Sequence, residues 1–248
     1  PNIQVIFEKE KWGLDEDYIP ENANKKYGGE FTLIEGLAKS KNTVSAYLMN
    51  RVKPRKVINL ARKMGLKSYL PAVPSLCLGT AEVSLLEMTG AYATFANEGI
   101  YVEPFFINRI EDKNGIVLET FSNTPVEVLS QEKNYIMVNL LEGVINKGSG
   151  ARLRWKYGFK NPIAGKTGTT QNHSDGWFIA FVPNLVTGVW TGADNRSVRF
   201  RDLHLGQGAE MALPVWGEYM QNIYNSPRLN MSTEAFPFPE SGVSVTLN

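Results

Sequence analysis

The chain has 248 residues, of which 43% are hydrophobic, 11% aromatic and 21% charged, the composition of one large globular domain or two closely packed subdomains. Its 26 basic and 25 acidic side chains leave a formal charge of +1, so no basic field directs it to nucleic acid. The longest apolar stretch, WFIAFVPNLVTGVW, is broken by Pro183, Asn184 and Thr187 and is too short for a membrane helix; no signal-like segment is present. Cys77, the single cysteine, sits in the apolar SLCLGT and reads as a buried, inert thiol. His173 and His204 lack a Cys or a second His at ligand spacing, which argues against a metal site, and no cofactor is expected.

In chain order, EKEKWGLDEDYIPENANKKYGG is polar, carries Pro20 and paired glycines, and reads as surface loop. Thr32 and Glu35 then make a capping-box spacing ahead of a short helix ending near Ser40. TVSAYLMNRV places Val44, Tyr47, Leu48 and Val52 on one helical face, stopped by Pro54, and RKVINLARKMG repeats the pattern with Val57, Leu60, Ala61 and Met64 before Gly65. After Thr80, Leu85, Met88, Tyr92 and Phe95 fall at helical steps. FFINRIEDKNGIVLETF switches to period two around DKNG, the signal of a β-hairpin. Ser130 caps a further helix with Tyr135, Val138, Leu141 and Ile145 on one face, closed by Gly148. From Pro162 onward PIAGKTGTT, GWFIAFVPN and LVTGVWTGAD read as strands, the last two joined at Pro183-Asn184. ALPVWGEYMQNIYNS is a final helix before Pro227, and the Pro- and Ser-containing tail has little to bury and reads as loosely held. Helices first, then antiparallel strands, then a returning helix predict an α+β arrangement rather than a doubly wound parallel sheet.

The triplet Lys166-Thr167-Gly168 admits two chemistries. A phosphate loop needs glycine five residues before Gly165, where Lys160 stands, and a helix after the lysine, where loop and strand follow. The other reading is the K-T-G of an acyl-transfer strand, which accompanies S-x-x-K and S-D-N in serine penicillin-recognising enzymes. Gly168, with no side chain, lets a peptide lie against the strand, and the Thr169 amide can face a developing oxyanion. Hydroxyls of Thr167 and Thr169 can bind a carboxylate, and Lys166 raises the positive potential. S-K-N at 40–42 falls at a helix junction, where Ser40 could relay a proton to a leaving amine and Asn42 hold a carbonyl; both residue types also serve as plain caps. Ser130-Gln131-Glu132-Lys133 is the only run with S-x-x-K spacing, and its place at an ordinary helix start, after S-K-N in sequence, speaks against a nucleophile.

Well beyond the triplets, IPENANKKYGGEFTLIEGLAKSKNTVSAYL, SLCLGTAEVSLLEMTGAYATFANEGI, INRIEDKNGIVL, AGKTGTTQNHSDGWFIAFVPNLVTGVWTGAD and GAEMALPVWGEYM together resemble the transpeptidase domain of class A (bifunctional) penicillin-binding proteins. The resemblance implies an antiparallel sheet flanked by helices with a helical subdomain, as in serine β-lactamases, and residues 1–230 as the domain with 231–248 as tail. It implies serine acyl transfer on the D-Ala-D-Ala end of peptidoglycan stem peptides, with β-lactams trapping the serine. Lys166, Thr167 and Gly168 match the family's KTG, Thr169 and Thr170 extend it along the substrate, and Ser40 and Asn42 match its SxN, with Lys41 facing outward. The family's S-x-x-K precedes the segment at which this chain starts, so either the sequence is a fragment or the protein is a non-catalytic relative. On the fragment reading, the nucleophile segment, a glycosyltransferase domain and a membrane anchor lie elsewhere in the complete protein, at the extracytoplasmic face of a bacterial membrane. Hydrolysis by a D,D-carboxypeptidase or β-lactamase, and a penicillin-binding sensor or scaffold, are the alternatives.

Overall fold

A computed structural model describes residues 1–170, 173–229 and 231–247; Gln171 and Asn172 of the long AGKTGTTQNHSDGWF stretch lie outside the described residues. The segment read as surface loop carries a helical turn, α1 (Lys9–Trp12), and a small core of its own. Phe7, just before it, bridges to Tyr18 and is fully buried, with Trp12 edge-on at 5.1 Å and Tyr18 stacked at 6.0 Å. Three aromatics at irregular spacing give no periodic signal, which is why the sequence pattern hides them.

The capping box at Thr32 and Glu35 starts α2 (Leu33–Ala38) as expected, the Glu35 carboxylate accepting the Thr32 N–H at 3.0 Å. α3 (Asn42–Val52) and α4 (Pro54–Lys63) follow, and Pro54 opens α4, where its fixed φ suits the first helical turn. The buried face of α3 is rotated from the expected one: Thr43, Val44, Ala46 and Met49 are inside, whereas Leu48 and Val52 are exposed. Small and polar side chains cause the rotation, because Ala46 packs on Phe7 and the Thr43 hydroxyl donates to Asn2 Oδ1 at 2.6 Å. A 3-10 turn (Pro74–Leu78) leads to α5 (Leu85–Ala96), fastened by a second capping box between Ser84 and Glu87. Within the turn Cys77 is half-buried, and burial pushes its thiol up to about 11, the inert state expected of it.

β1 (Ile100–Tyr101) leads to the predicted hairpin of β2 (Arg109–Glu111) and β3 (Val117–Thr120), after which β4 (Val126–Glu127) pairs back with β1. α6 (Gln131–Lys147) buries Val138, Leu141 and Ile145, and α7 (Arg152–Trp155) follows a tight loop. The central sheet then forms from β5 (Ala164–Thr169), β6 (Asp175–Val182) and β7 (Leu185–Gly192), antiparallel in the order β5-β6-β7. Both faces are covered. On one, Phe178, Ala180 and Val182 of β6 meet Leu213, Trp216 and Met220; on the other, Phe181 and Ala164 meet Val138 and Leu141 of α6. At about 25 cal/mol per Å² of apolar surface, these two layers are the main stabilising mass of the fold.

After α8 (Leu203–Gly206), α9 (Gly208–Tyr224) starts a turn earlier than the apolar pattern indicates. Docking sets its first residue: the Gly208 N–H donates to Thr169 Oγ1 at 3.0 Å, and a Cβ on Gly208 would lie 2.2 Å from the Gly168 carbonyl oxygen. The tail is also held. Phe236 is buried edge-on to Phe181 at 5.4 Å, Phe238 meets Tyr135 at 5.0 Å, and the Ser244 N–H donates to Glu132 at 2.7 Å. Two isolated aromatics anchor a stretch whose Pro and Ser content pointed to a loose end. Among the described residues no helix is long and apolar enough to cross a membrane, and no cluster of metal-ligating side chains occurs.

Candidate active site

Successive side chains leave a strand on alternate faces, so Lys166 follows Ala164 toward α2 and α6. There its Nζ donates to Ser40 Oγ at 2.9 Å and to the Thr167 carbonyl at 3.0 Å, joining positions 126 residues apart. The convergence required by the K-T-G and S-K-N reading is therefore present. Lys166 is a half-buried residue whose amine end is crowded by protein, and that burial pushes its pKa down to about 8. An amine with such a pKa exchanges protons near neutrality, where a surface lysine stays charged.

Ser40 does not N-cap α3; it ends α2 through its backbone. Its φ is +50°, the left-handed region that glycine normally fills. The Ser40 N–H donates to Leu37 O at 3.1 Å and the Lys41 N–H to Gly36 O at 2.9 Å, the paired bonds of a Schellman termination of α2. A serine in the glycine position of that motif carries backbone strain on the order of 1 kcal/mol. Its hydroxyl in return projects from the end of α2 onto Lys166 rather than along the helix.

Asn42, the first residue of α3, does not join this pair: its Nδ2 donates to Glu21 O at 2.7 Å, and no side-chain cap forms at the helix start. Its second amide hydrogen and Oδ1 remain for other partners. Lys41 turns away as expected, with Nζ 3.4 Å from Asn24 Oδ1 and 5.7 Å from the Phe31 ring centroid. Thr169 is exposed, and its hydroxyl already receives the first amide of α9. Thr170 spends its hydroxyl in the loop after β5, accepting the Asp175 N–H at 3.1 Å and lying 3.1 Å from Ser174 Oγ, so it shapes that turn. Gly168 has a local reason to be glycine, since a Cβ there would meet Trp177 Cβ at 3.0 Å on the paired strand. Ser130 stands before the first residue of α6, the far end from the site, and its side chain makes no capping bond.

Two groups of site residues escaped the sequence reading. Ser149, just past α6, holds its Oγ 2.6 Å from Thr167 Oγ1, yet the run KGSGA carries no motif that announces it. Asn2, Asn22 and Thr43 form a buried polar knot under the 40–42 junction, with Asn22 Nδ2 donating to Asn2 Oδ1 at 2.8 Å. Buried polar groups must be satisfied, and this knot fixes the start of α3 beside Ser40. Only the Asn-rich ENAN run hinted at it.

The family description "Penicillin binding protein transpeptidase domain" matches residues 3–195. The chain belongs to this family. Penicillin-binding protein 1A of Aquifex aeolicus (strain VF5) is 37% identical to this transpeptidase chain over 233 residues, covering 94% of the chain and 31% of that relative. Penicillin-binding protein 1A of Neisseria meningitidis serogroup B (strain MC58) is 35% identical over 211 residues, covering 82% of the chain and 26% of that relative. These relatives fit the class A resemblance, and the chain spans about a third or less of their length. Among solved structures, penicillin-binding protein 1A from Haemophilus influenzae superposes with a TM-score of 0.80 at 24% identity, covering 95% of the transpeptidase chain and 40% of that chain. PonA1 from Mycobacterium tuberculosis in complex with penicillin V gives a TM-score of 0.73 at 24% identity, covering 89% and 62%. Both establish the penicillin-binding fold, α+β as expected.

Proposed function

We propose that this chain is the larger part of a D,D-transpeptidase domain, residues 1–230 with 231–248 as its tail, acting on the D-Ala-D-Ala end of peptidoglycan stem peptides. The carrying observation is the Lys166–Ser40 contact at 2.9 Å, made by a serine held in a left-handed conformation. No credible Ser-x-x-Lys occurs in the sequence, and the relatives are about three times longer than the chain, so the attacking serine comes from a segment elsewhere in the complete protein. The same holds for the glycosyltransferase domain and the membrane anchor that would keep the site at the extracytoplasmic face.

In this reading the attacking oxygen bonds to the penultimate D-Ala carbonyl carbon while the bond to the terminal D-Ala nitrogen breaks. Ser40 relays the proton, giving its own to that departing amine and taking the one released by the attacking hydroxyl, while Lys166 orients Ser40 and adds positive potential. Thr167 binds the terminal carboxylate, the Thr169 amide faces the oxyanion, and Gly168 leaves the outer edge of β5 open to the extended peptide. The free hydrogen and oxygen of the Asn42 amide face the peptide backbone. An amine of a second stem peptide then attacks the acyl carbon, loses a proton and restores the serine hydroxyl. β-Lactams occupy the same groove and leave the serine acylated.

The test incubates the complete protein with paired stem peptides and separates the products. Cross-linked dimers with release of D-Ala are expected, whereas hydrolysed monomers alone would make it a carboxypeptidase. No product and no labelling by a fluorescent penicillin would make it a scaffold.

A further inference from the structure

The loop between α6 and α7 touches both halves of the site. The Ser149 N–H donates to Ala38 O at 3.1 Å, and Gly148 lies so close that a Cβ there would sit 2.3 Å from the same oxygen. This loop is therefore clamped to the last residue of α2, two positions before Ser40. From there the Ser149 hydroxyl reaches Thr167 Oγ1 at 2.6 Å, and among the described residues neither hydroxyl has another hydrogen-bond partner. Two hydroxyls at that separation share one proton between their oxygens and leave the second proton for a third group.

Which proton is shared decides what the site can bind. If Thr167 donates to Ser149, Thr167 turns its lone pairs outward and repels an anion. If Ser149 donates, the Thr167 proton is free to point at a carboxylate, and the bond it receives from Ser149 polarises it into a stronger donor. We propose that Ser149 is a positioning residue of the transpeptidase site, donating to Thr167 Oγ1 so that Thr167 presents its own proton to the C-terminal carboxylate of the peptide or β-lactam. The inference rests on the functional reading above and adds to it the group that sets the direction of the Thr167 hydrogen bond. Ser149 is half-buried and its backbone is fixed from both sides, so the hydroxyl keeps this single use.

The experiment compares the complete wild-type protein with Ser149→Ala and Ser149→Thr, measuring acylation by a penicillin and by its uncharged methyl ester. Alanine should weaken capture of the free acid by roughly threefold to tenfold, the value of one hydrogen bond between neutral groups, with the loss in affinity rather than in the limiting acylation rate. Capture of the ester should not change, and threonine should restore the acid. Equal loss for acid and ester, with or without a fall in melting temperature, would assign Ser149 a purely structural part and overturn the proposal, as would no loss at all. A wild-type protein that neither compound acylates would sink the transpeptidase reading first, which separates the two failures.

Discussion

The two ends of α6 carry a serine each. Before its first turn, Ser130 has the spacing to Lys133 of a nucleophile motif; past its last turn, Ser149 has no motif at all. The helix has 17 residues, so at about 1.5 Å per residue the two serines stand roughly 25 Å apart. Only the second approaches the KTG strand, where its oxygen meets Thr167, while the first makes no side-chain bond with the helix it precedes. Spacing along a helix says which side chains can be neighbours. It does not say which end of the helix the rest of the fold uses.

That contrast can be broken most forcefully at Lys166. Lys166→Ala in the complete protein should slow acylation by labelled penicillin by about 10² to 10⁴, the range of a general acid–base partner, as read by stopped-flow or gel labelling. Next comes Ser40→Gly. Glycine relieves the left-handed strain, so the fold should gain about 1 kcal/mol in denaturant unfolding while acylation falls by about two orders of magnitude. A stabilised but inactive variant would show that the strain at Ser40 serves the site; unchanged acylation would show that the hydroxyl is idle.

A smaller effect is expected from pH. The pKa of Lys166 is held down to about 8, so its ammonium is present below that value and lost above it. Affinity for a carboxylate-bearing β-lactam should be level below about pH 8 and decline above it, and Lys166→Arg, charged throughout, should lack the decline. By the same sign the fold itself gains stability as pH rises from about 8 toward 10.5, because the unfolded chain holds the proton longer. The smallest effect belongs to Ser130→Ala, expected to leave labelling intact and stability within about 0.5 kcal/mol. A loss there equal to that of Lys166→Ala would reverse the assignment of the two ends of α6.

Much of the fold is legible because its elements carry local signals: the Thr32–Glu35 capping box, the DKNG hairpin and the apolar stripe of α6 all form where the pattern puts them. The convergence of Lys166 on Ser40 was legible from motif chemistry, since each triplet needs the other. What stayed hidden depends on contacts between distant residues of ordinary type. Phe7 is buried by two aromatics spaced irregularly after it, and the inward face of α3 is set by Thr43 and Ala46, which a hydrophobic count underrates. Ser149 could not be read at all, because a hydroxyl facing a hydroxyl leaves no trace in a single sequence. The Schellman bonds at Ser40 were equally silent, since the usual glycine was missing.

Phe236 wedges against Phe181 in the cluster that includes Ala164, the residue from which the lysine-bearing strand sets out. Trimming the sequence where its composition turns polar would pull a stopper from the floor below that strand. The groove would then be weakened from underneath, by chain that never enters it.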